Sequence, residues 1–219
     1  MRGLAAALWV ALCTVATGLA PAGAVDLRVR VVDAAGAPLP QAVVYAVPAH
    51  PVPHGRLPLA IIDQIHRRFV PRVSVVQAGT AIDFPNSDNI RHSVYSFSPA
   101  KVFVLKLYAG KAAPPVVFDK AGIIVLGCEI HDSMLAWLLV VDTPYYGKSD
   151  GAGFVTLRNL DPGEYALHAW HEPLRQASAA RPLLISAGRP PPAITLRLDP
   201  GAAPVRQSGM ADMPGMPPR

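Results

Sequence analysis

The feature that most constrains the fold is the regular alternation of short apolar runs with turn residues between residues 25 and 199. Leu27, Val29 and Val31 occupy alternate positions and would share one face of a strand, because strand side chains alternate with period two. Comparable runs recur as far as Leu198, separated by Gly, Pro, Asn and Asp, and none shows the length and period of a long helix. The pattern predicts an all-β protein made of short-stranded sandwiches.

The N-terminal residues 1–24 predict a cleaved signal peptide. Arg2 supplies the positive charge, Leu4 to Val15 supply a short apolar run, and a small-residue site ends at Ala24. We expect export to the periplasm and cleavage after Ala24. Lipid modification would need Cys13, but Leu12 precedes it where a small residue is required. No run approaches the roughly 18 apolar residues of a membrane span.

Processing leaves Cys128 as the only thiol of the mature chain. A single cysteine in an exported protein indicates pairing between chains, a buried inert thiol, or metal ligation. Removal of Arg2 changes the net charge from +5 to +4, since 5 − 1 = 4, and no dense Lys/Arg run remains. The charge therefore does not indicate binding to nucleic acid or to a membrane surface.

The motif Cys128-x-x-His131-x-x-Met134 follows an apolar, β-branched run that ends at Gly127. A second imidazole, His92, follows the turn FPNSDN. Two imidazoles, one thiolate and a weak thioether are the donor set of electron-transfer copper sites. Zinc would also accept the Cys-x-x-His half of the set, but it prefers ligands stronger than a thioether. The sequence therefore predicts one copper ion per chain.

Residues 61–143 resemble the cupredoxin family, through GCEIHDSM, DFPNSD, RHSVYSFSPAK, KLYAG and VVFDK. The spacing from His131 to Met134 is that of amicyanin, and the wider run is similar to bacterial proteins labelled methylamine utilization or plastocyanin-like. The resemblance implies a Greek-key sandwich with His92, Cys128 and His131 in a trigonal plane and Met134 as the axial ligand. Ser93 stands where many family members have an Asn that bridges the ligand loops. Glu129 and Asp132 make the ligand loop more acidic than that of amicyanin.

Two further motifs flank this region. DAAGAPL (33–39) and GFVTLRNLDPGEYAL (153–167) resemble the carboxypeptidase-regulatory or transthyretin-like β-sandwich. Because the whole copper region lies between them, the sequence predicts that residues 25–60 and 144–199 form one split sandwich, with residues 61–143 as an inserted cupredoxin domain. The alternative is two consecutive domains, in which residues 25–60 supply the first strands of the cupredoxin.

The C-terminal residues 200–219 are rich in Ala, Pro, Gly and Met, and are expected to be disordered. Met210, Met213 and Met216 recur at intervals of three, and thioethers so spaced can hold Cu(I) loosely. A tail in which these methionines have no function is the simpler alternative. His168 and His171 would point to opposite faces of a strand, so no shared metal is expected there.

No nucleophile elbow, phosphate loop, paired carboxylates or zinc-protease helix is evident, so catalysis is not indicated. The sequence favours a periplasmic type 1 copper protein that carries one electron between redox partners, such as a c-type cytochrome or a periplasmic dehydrogenase. Two alternatives remain open. One is a copper-trafficking protein that uses the Met-rich tail, and the other is a non-catalytic β-sandwich that binds other proteins.

Overall fold

The computed structural model describes residues 23–52, 55–111, 114–172, 174 and 177–199. Seventeen β-strands and no helix are found in these residues, as the all-β prediction requires. The body of the expected signal peptide, including Cys13, and the tail with Met210, Met213 and Met216 lie outside the described residues. Among the residues that are described, no helix is long and apolar enough to cross a membrane.

Ten of the strands lie between residues 60 and 141. They are β3 (Ala60–Ile61), β4 (Asp63–Gln64), β5 (Phe69–Val70), β6 (Val73–Gln77), β7 (Thr80–Asp83), β8 (His92–Ser98), β9 (Lys101–Tyr108), β10 (Val116–Phe118), β11 (Gly122–Gly127) and β12 (Leu135–Val141). One sheet has the order β6-β12-β11-β8-β9, and a smaller one has the order β10-β7-β3. We call this unit the site sandwich.

The other seven strands come from both sides of that region. They are β1 (Val25–Val32), β2 (Val43–Pro48), β13 (Tyr146–Lys148), β14 (Phe154–Leu160), β15 (Gly163–Trp170), β16 (Arg181–Ile185) and β17 (Ile194–Arg197). They form two sheets, β14-β1-β17 and β13-β2-β15-β16. We call this unit the split sandwich.

Strand pairing joins the start of the described chain to its end. Val29 of β1 pairs with Val155 of β14 and with Ile194 of β17, and β2 lies between β13 and β15. None of the pairings of β1 or β2 involves a strand of the site sandwich. We therefore propose that residues 25–60 and 144–199 form one domain into which residues 61–143 are inserted. The likeness of this domain to the carboxypeptidase-regulatory sandwich stays a prediction.

Each sandwich has its own apolar core. Leu27, Val29 and Val31, the alternating residues of β1, are fully buried in the core of the split sandwich. At the turn before β14, Gly153 has φ 79°, and a Cβ built there would lie 2.5 Å from the carbonyl oxygen of Val31. This close approach of two backbones explains the glycine that begins the GFVTL motif.

Strand β12 is buried along almost its whole length because both of its faces are covered. Ala136, Leu138 and Val140 face the core of the site sandwich. Trp137 and Leu139 face the split sandwich, where they belong to an apolar cluster that includes Trp170 of β15. A continuous apolar run such as LAWLLVV is typical of a strand that is buried on both faces.

The sequence pattern did not reveal four of the short strands. β3, β4 and β5 have two residues each, which is too short for a period-two pattern to be seen. β13 has only three residues, one of which is Gly147, and likewise shows no period-two pattern. It pairs with β2, so its place in a sheet depends on a partner about a hundred residues away.

Candidate metal centre

The predicted ligand residues lie at one end of the site sandwich. His92 begins β8, Cys128 follows β11, and His131 and Met134 lie in the loop between β11 and β12. Gly127, at the end of β11, pairs with Tyr95 of β8. Because β8 and β11 run antiparallel, this register places the first residues of β8 beside the thiol that follows β11.

Three of these side chains converge on one point. The Cys128 Sγ lies 3.8 Å from His92 Nδ1 and 3.9 Å from His131 Nδ1. The possible ligand atoms of these three residues all lie within 4.8 Å of one another. His92 and Cys128 are buried, whereas His131 is partly exposed. The arrangement is a closed pocket with one imidazole at its surface.

Met134 is buried in the same apolar cluster as Cys128. Its backbone N–H donates to the carbonyl oxygen of His131 at 2.9 Å, which closes the turn of the ligand loop. A buried thioether in the same cluster as the thiol offers a soft, weak donor in addition to the three converging residues. This chemistry fits copper better than zinc, which would call for a stronger fourth ligand.

The Ser93 hydroxyl bridges the two ligand segments. It accepts a hydrogen bond from the backbone N–H of Glu129 at 2.8 Å and donates to Cys128 Sγ at 3.8 Å. Ser93 is fully buried, so both contacts are shielded from water. The bridging role that the sequence left open because Ser replaces Asn is therefore filled here by a hydroxyl.

Asp88 is a member of the site that sequence reasoning missed. Its Oδ2 lies 2.8 Å from Nε2 of His92, so the carboxylate accepts the N–H of this imidazole and leaves Nδ1 free to face Cys128. A carboxylate behind a ligating imidazole fixes the ring orientation and its tautomer. The available signal was an acid four residues before a histidine, but Asp88 also fits an ordinary turn residue, which is how the turn PNSDN was read.

The ionisation of Asp88 follows from its contacts. Burial alone would raise the pKa of this carboxyl group. Hydrogen bonds from the backbone N–H of Arg67, from His92 and from the backbone N–H of His66 outweigh that effect and hold the pKa below its ordinary value. Asp88 is therefore ionised at neutral pH, as an acceptor for an imidazole N–H should be.

The pKa of His131 is also lowered. Removal from water is the main cause, and the charges of His92 and Arg67 add to it, while Asp88 opposes the shift. The neutral imidazole, whose nitrogen has a free lone pair, is the form that binds a metal ion. The surroundings of His131 thus favour the protonation state that ligation requires.

Two histidines of the split sandwich, His168 and His171, have structural contacts. His168 stacks on Tyr45, with ring centroids 5.0 Å apart, and its Nδ1 donates to the carbonyl oxygen of Ser178. His171 lies 3.2 Å, through Nε2, from the carbonyl oxygen of Pro40. These contacts give each ring its own partner and do not bring the two together.

Comparison with known proteins gives structural similarity only. No protein-family model matches the sequence, and no curated protein matches it. A copper-containing nitrite reductase (NirK) from Thermus scotoductus SA-01 is 25% identical, with a TM-score of 0.37, over 43% of this chain and 26% of that chain. A reduced amicyanin variant is 17% identical, with a TM-score of 0.35, over 44% of this chain and 99% of that one.

Pseudoazurin from Methylobacterium extorquens AM1 is 23% identical, with a TM-score of 0.34, over 39% of this chain and 77% of that chain. Each of these overlaps covers less than half of this chain. The strand order of the site sandwich, in which β6 runs parallel to β12 and antiparallel neighbours complete the sheet, defines a cupredoxin-like fold.

Proposed function

We propose that the protein is a periplasmic one-electron carrier with a single type 1 copper ion, held by His92, Cys128, His131 and Met134. The observation that carries the proposal is the convergence of one thiol and two imidazole nitrogens within 4.8 Å in a mostly buried pocket. Copper bound there would supply a reversible one-electron couple between Cu(I) and Cu(II).

The chain contributes a fixed and water-poor set of donors. Cys128, His92 and Met134 are buried, so these three donors are shielded from water. Hydrogen bonds from Ser93 to the thiol and between Asp88 and His92 hold the side chains in one orientation. A site whose ligands are already positioned changes little in geometry when the metal ion gains or loses an electron, and this favours electron transfer.

Electron exchange also needs a route to a partner. His131 is the one partly exposed member of the three converging residues, and its neighbour Ile130 has half of its surface exposed. An apolar side chain beside an exposed ligand edge allows a redox protein to approach closely without displacing strongly bound water. We propose that soluble redox proteins, such as a c-type cytochrome or a periplasmic dehydrogenase, dock at this edge.

The visible and paramagnetic-resonance spectra of the copper-loaded mature protein test this proposal. We expect an intense visible band from charge transfer out of the Cys128 thiolate. Cys128→Ser should abolish it, whereas Met134→Gln should retain colour and mainly change the reduction potential. An intense band that persists in Cys128→Ser, or wild-type protein that binds no copper, would overturn the assignment. The second result would leave a non-catalytic β-sandwich that binds other proteins.

Copper trafficking is a second candidate, favoured by the three regularly spaced methionines of residues 200–219. Truncation after Pro200 distinguishes the two functions. For a carrier, we expect unchanged copper affinity at the core site and unchanged electron exchange with a c-type cytochrome. If truncation strongly slows copper transfer to a Cu(I) chelator, and electron exchange is negligible in both forms, trafficking replaces the carrier proposal.

A further inference from the structure

A short cationic segment lies beside the candidate metal centre. Residues 65–68, which we call the basic loop, form a tight turn closed by two backbone hydrogen bonds between Ile65 and Arg68, at 2.9 and 3.1 Å. His66, Arg67 and Arg68 are all exposed. The loop therefore presents three adjacent cationic or titratable side chains to solvent.

The backbone of the basic loop is strained. His66 has φ 53° and Arg67 has φ 58°, in the left-handed region that glycine adopts easily and other residues rarely do. Such a conformation is unfavourable for a residue with a side chain and persists where the surroundings enforce it. His66 and Arg67 thus occupy positions where glycine would fit the backbone better. This indicates that their side chains have a function.

Asp88 enforces this conformation. Its Oδ1 accepts the backbone N–H of His66 at 2.6 Å, and its Oδ2 accepts that of Arg67 at 2.8 Å. The same Oδ2 lies 2.8 Å from Nε2 of His92. One carboxylate thus ties the basic loop to a candidate ligand, so the loop and the site are held in a fixed relation.

The loop also lies close to the exposed side of the site. Asp88, which holds the loop, also binds His92, and the ring centroid of His92 lies 5.0 Å from that of His131. Asp132, which is exposed and directly follows His131, and the partly exposed Glu129 place two carboxylates in the ligand loop itself. The surroundings of His131 therefore include positive groups in the basic loop and negative groups in the ligand loop.

Within the part of the chain that the structure describes, the arginines beside the site form no ion pair with an acidic side chain. The ion pairs among the described residues use Arg72, Lys101, Lys111 and His92, and none of them uses Arg67, Arg68 or the neighbouring Arg91. Arg91 is exposed and directly precedes His92. Unpaired guanidinium groups on a rigid support are preorganised to bind carboxylates in a bidentate manner.

We propose that the basic loop is the docking element for an acidic face on the protein that exchanges electrons with this one. This inference rests on the proposed function and adds the chemistry of the partner. Carboxylates of the partner pair with Arg67 and Arg68 while an apolar contact forms over Ile130 and His131. The positive basic loop and the negative ligand loop together fix the orientation of the partner and raise the rate of productive encounters.

Electron exchange with two soluble haem proteins of opposite surface charge tests this inference. The probes are an acidic cytochrome b5 domain and a lysine-rich cytochrome c, each mixed with copper-loaded protein in a stopped-flow instrument over a range of salt concentration. We expect the rate with the acidic probe to fall steeply as salt increases. Arg67→Glu/Arg68→Glu should lower that rate at low salt about tenfold or more and remove the salt dependence.

A matched control separates position from net charge. Arg158→Glu/Arg189→Glu changes the net charge by the same amount, at two exposed positions of the split sandwich. We expect less than a twofold change for this pair. Because Arg67 has a positive φ, the single variant Arg68→Glu provides a second measurement in which the strained position keeps its native residue. It should show a smaller loss in the same direction.

The visible spectrum of every variant distinguishes the possible failures. If wild-type protein lacks the thiolate band, the proposed function fails. If the band is present but the loop and control variants slow exchange equally, the docking inference alone is wrong. Binding of wild-type protein to phosphatidylserine vesicles, lost in the loop variant while exchange with the acidic probe is unchanged, would also overturn it in favour of a lipid surface.

Discussion

The two sandwiches are built from similar strands but differ in what they bury. Of the buried polar or charged residues among those described, eight lie in the site sandwich, namely Gln64, Gln77, Thr80, Asp83, Asn86, His92, Ser93 and Ser96. Only Thr143 and Ser149 lie in the split sandwich and its connection. A domain that only has to fold can fill its core with apolar side chains. A domain that must hold donors in a fixed geometry also buries polar groups, among them His92 and Ser93, whose hydrogen bonds lie at the site.

The two sandwiches also share a surface. Trp170 of the split sandwich packs with Val125, Trp137 and Leu139, which lie on the outer face of β11 and β12. These two strands carry the ligand loop between them. The split sandwich thus covers the face of the sheet opposite to the core that holds Cys128 and Met134. We infer that the split sandwich supports the site sandwich, which holds the candidate metal centre. Four experiments test this division.

The largest expected effect comes from removing the central side chain of the shared surface. Trp170 is fully buried, and its indole N–H donates to the carbonyl oxygen of Leu174 at 2.8 Å. Trp170→Ala should lower the free energy of unfolding by about 3–5 kcal/mol and separate the unfolding of the two sandwiches. Urea denaturation, followed by circular dichroism and by the visible absorption of bound copper, measures the free energy of unfolding and shows whether the two sandwiches unfold separately. Exposed Leu184→Ala serves as the control, and equal losses in the two variants would contradict a shared core.

A pair of core leucines compares the two units directly. Leu126 and Leu157 are both buried, the first in the core of the site sandwich and the second in that of the split sandwich. Each substitution by Ala should cost about 2–5 kcal/mol. Only Leu126→Ala, two residues before Cys128, should also weaken copper binding and alter the visible band. An altered band in Leu157→Ala would show that the split sandwich shapes the site and does more than support it.

Ser93→Ala tests the hydroxyl bridge. It removes the hydrogen bond to the Cys128 sulfur and the acceptor for the Glu129 N–H, with an expected cost of about 1–3 kcal/mol in stability. A thiolate that loses a donor releases more charge to the metal, so the reduction potential should fall. Ser96→Ala, which removes a hydroxyl bonded to the Ser98 N–H, is the matched control. A potential that is the same in both variants would remove Ser93 from the site.

The smallest expected effect is a loss of folding stability at alkaline pH. Burial raises the pKa of Tyr108 to about 12, with smaller contributions from its neighbours. The folded chain therefore retains a proton that the unfolded chain loses near pH 10. This stabilisation is complete below pH 10 and is lost as the pH rises towards 12. We expect stability to fall by about 1 kcal/mol between pH 9 and 10.5 from this group.

The matched variant Tyr108→Phe should reduce this slope without removing it. Tyr165 in the split sandwich also has a raised pKa, mainly because of burial and then because of Tyr145, so the other unit keeps its own alkaline sensitivity. Urea unfolding at several pH values gives the slope for each protein, independently of any change in stability at neutral pH. Identical slopes in wild type and Tyr108→Phe would show that Tyr108 ionises normally.

The sequence alone predicted the longer strands and the ligand loop. Alternation in Leu27, Val29 and Val31, or continuous apolarity in β12, depends on neighbours along the chain, so local periodicity is enough to reveal it. Cys128 and Met134 are six residues apart, and three of the four proposed ligands lie within that span. A motif so compact can be recognised from spacing and side-chain chemistry without knowledge of the fold.

Only the tertiary structure decided which distant groups meet. The pairing of β1 with β14 and β17 depends on hydrogen bonds between strands more than a hundred residues apart. The roles of Ser93 and Asp88 likewise depend on the register that brings β8 beside β11. An Asp in a turn or a Ser on a strand has no distinctive local pattern. Its function is set by the groups that the fold places within hydrogen-bonding distance of it, and periodicity contains no information about those groups.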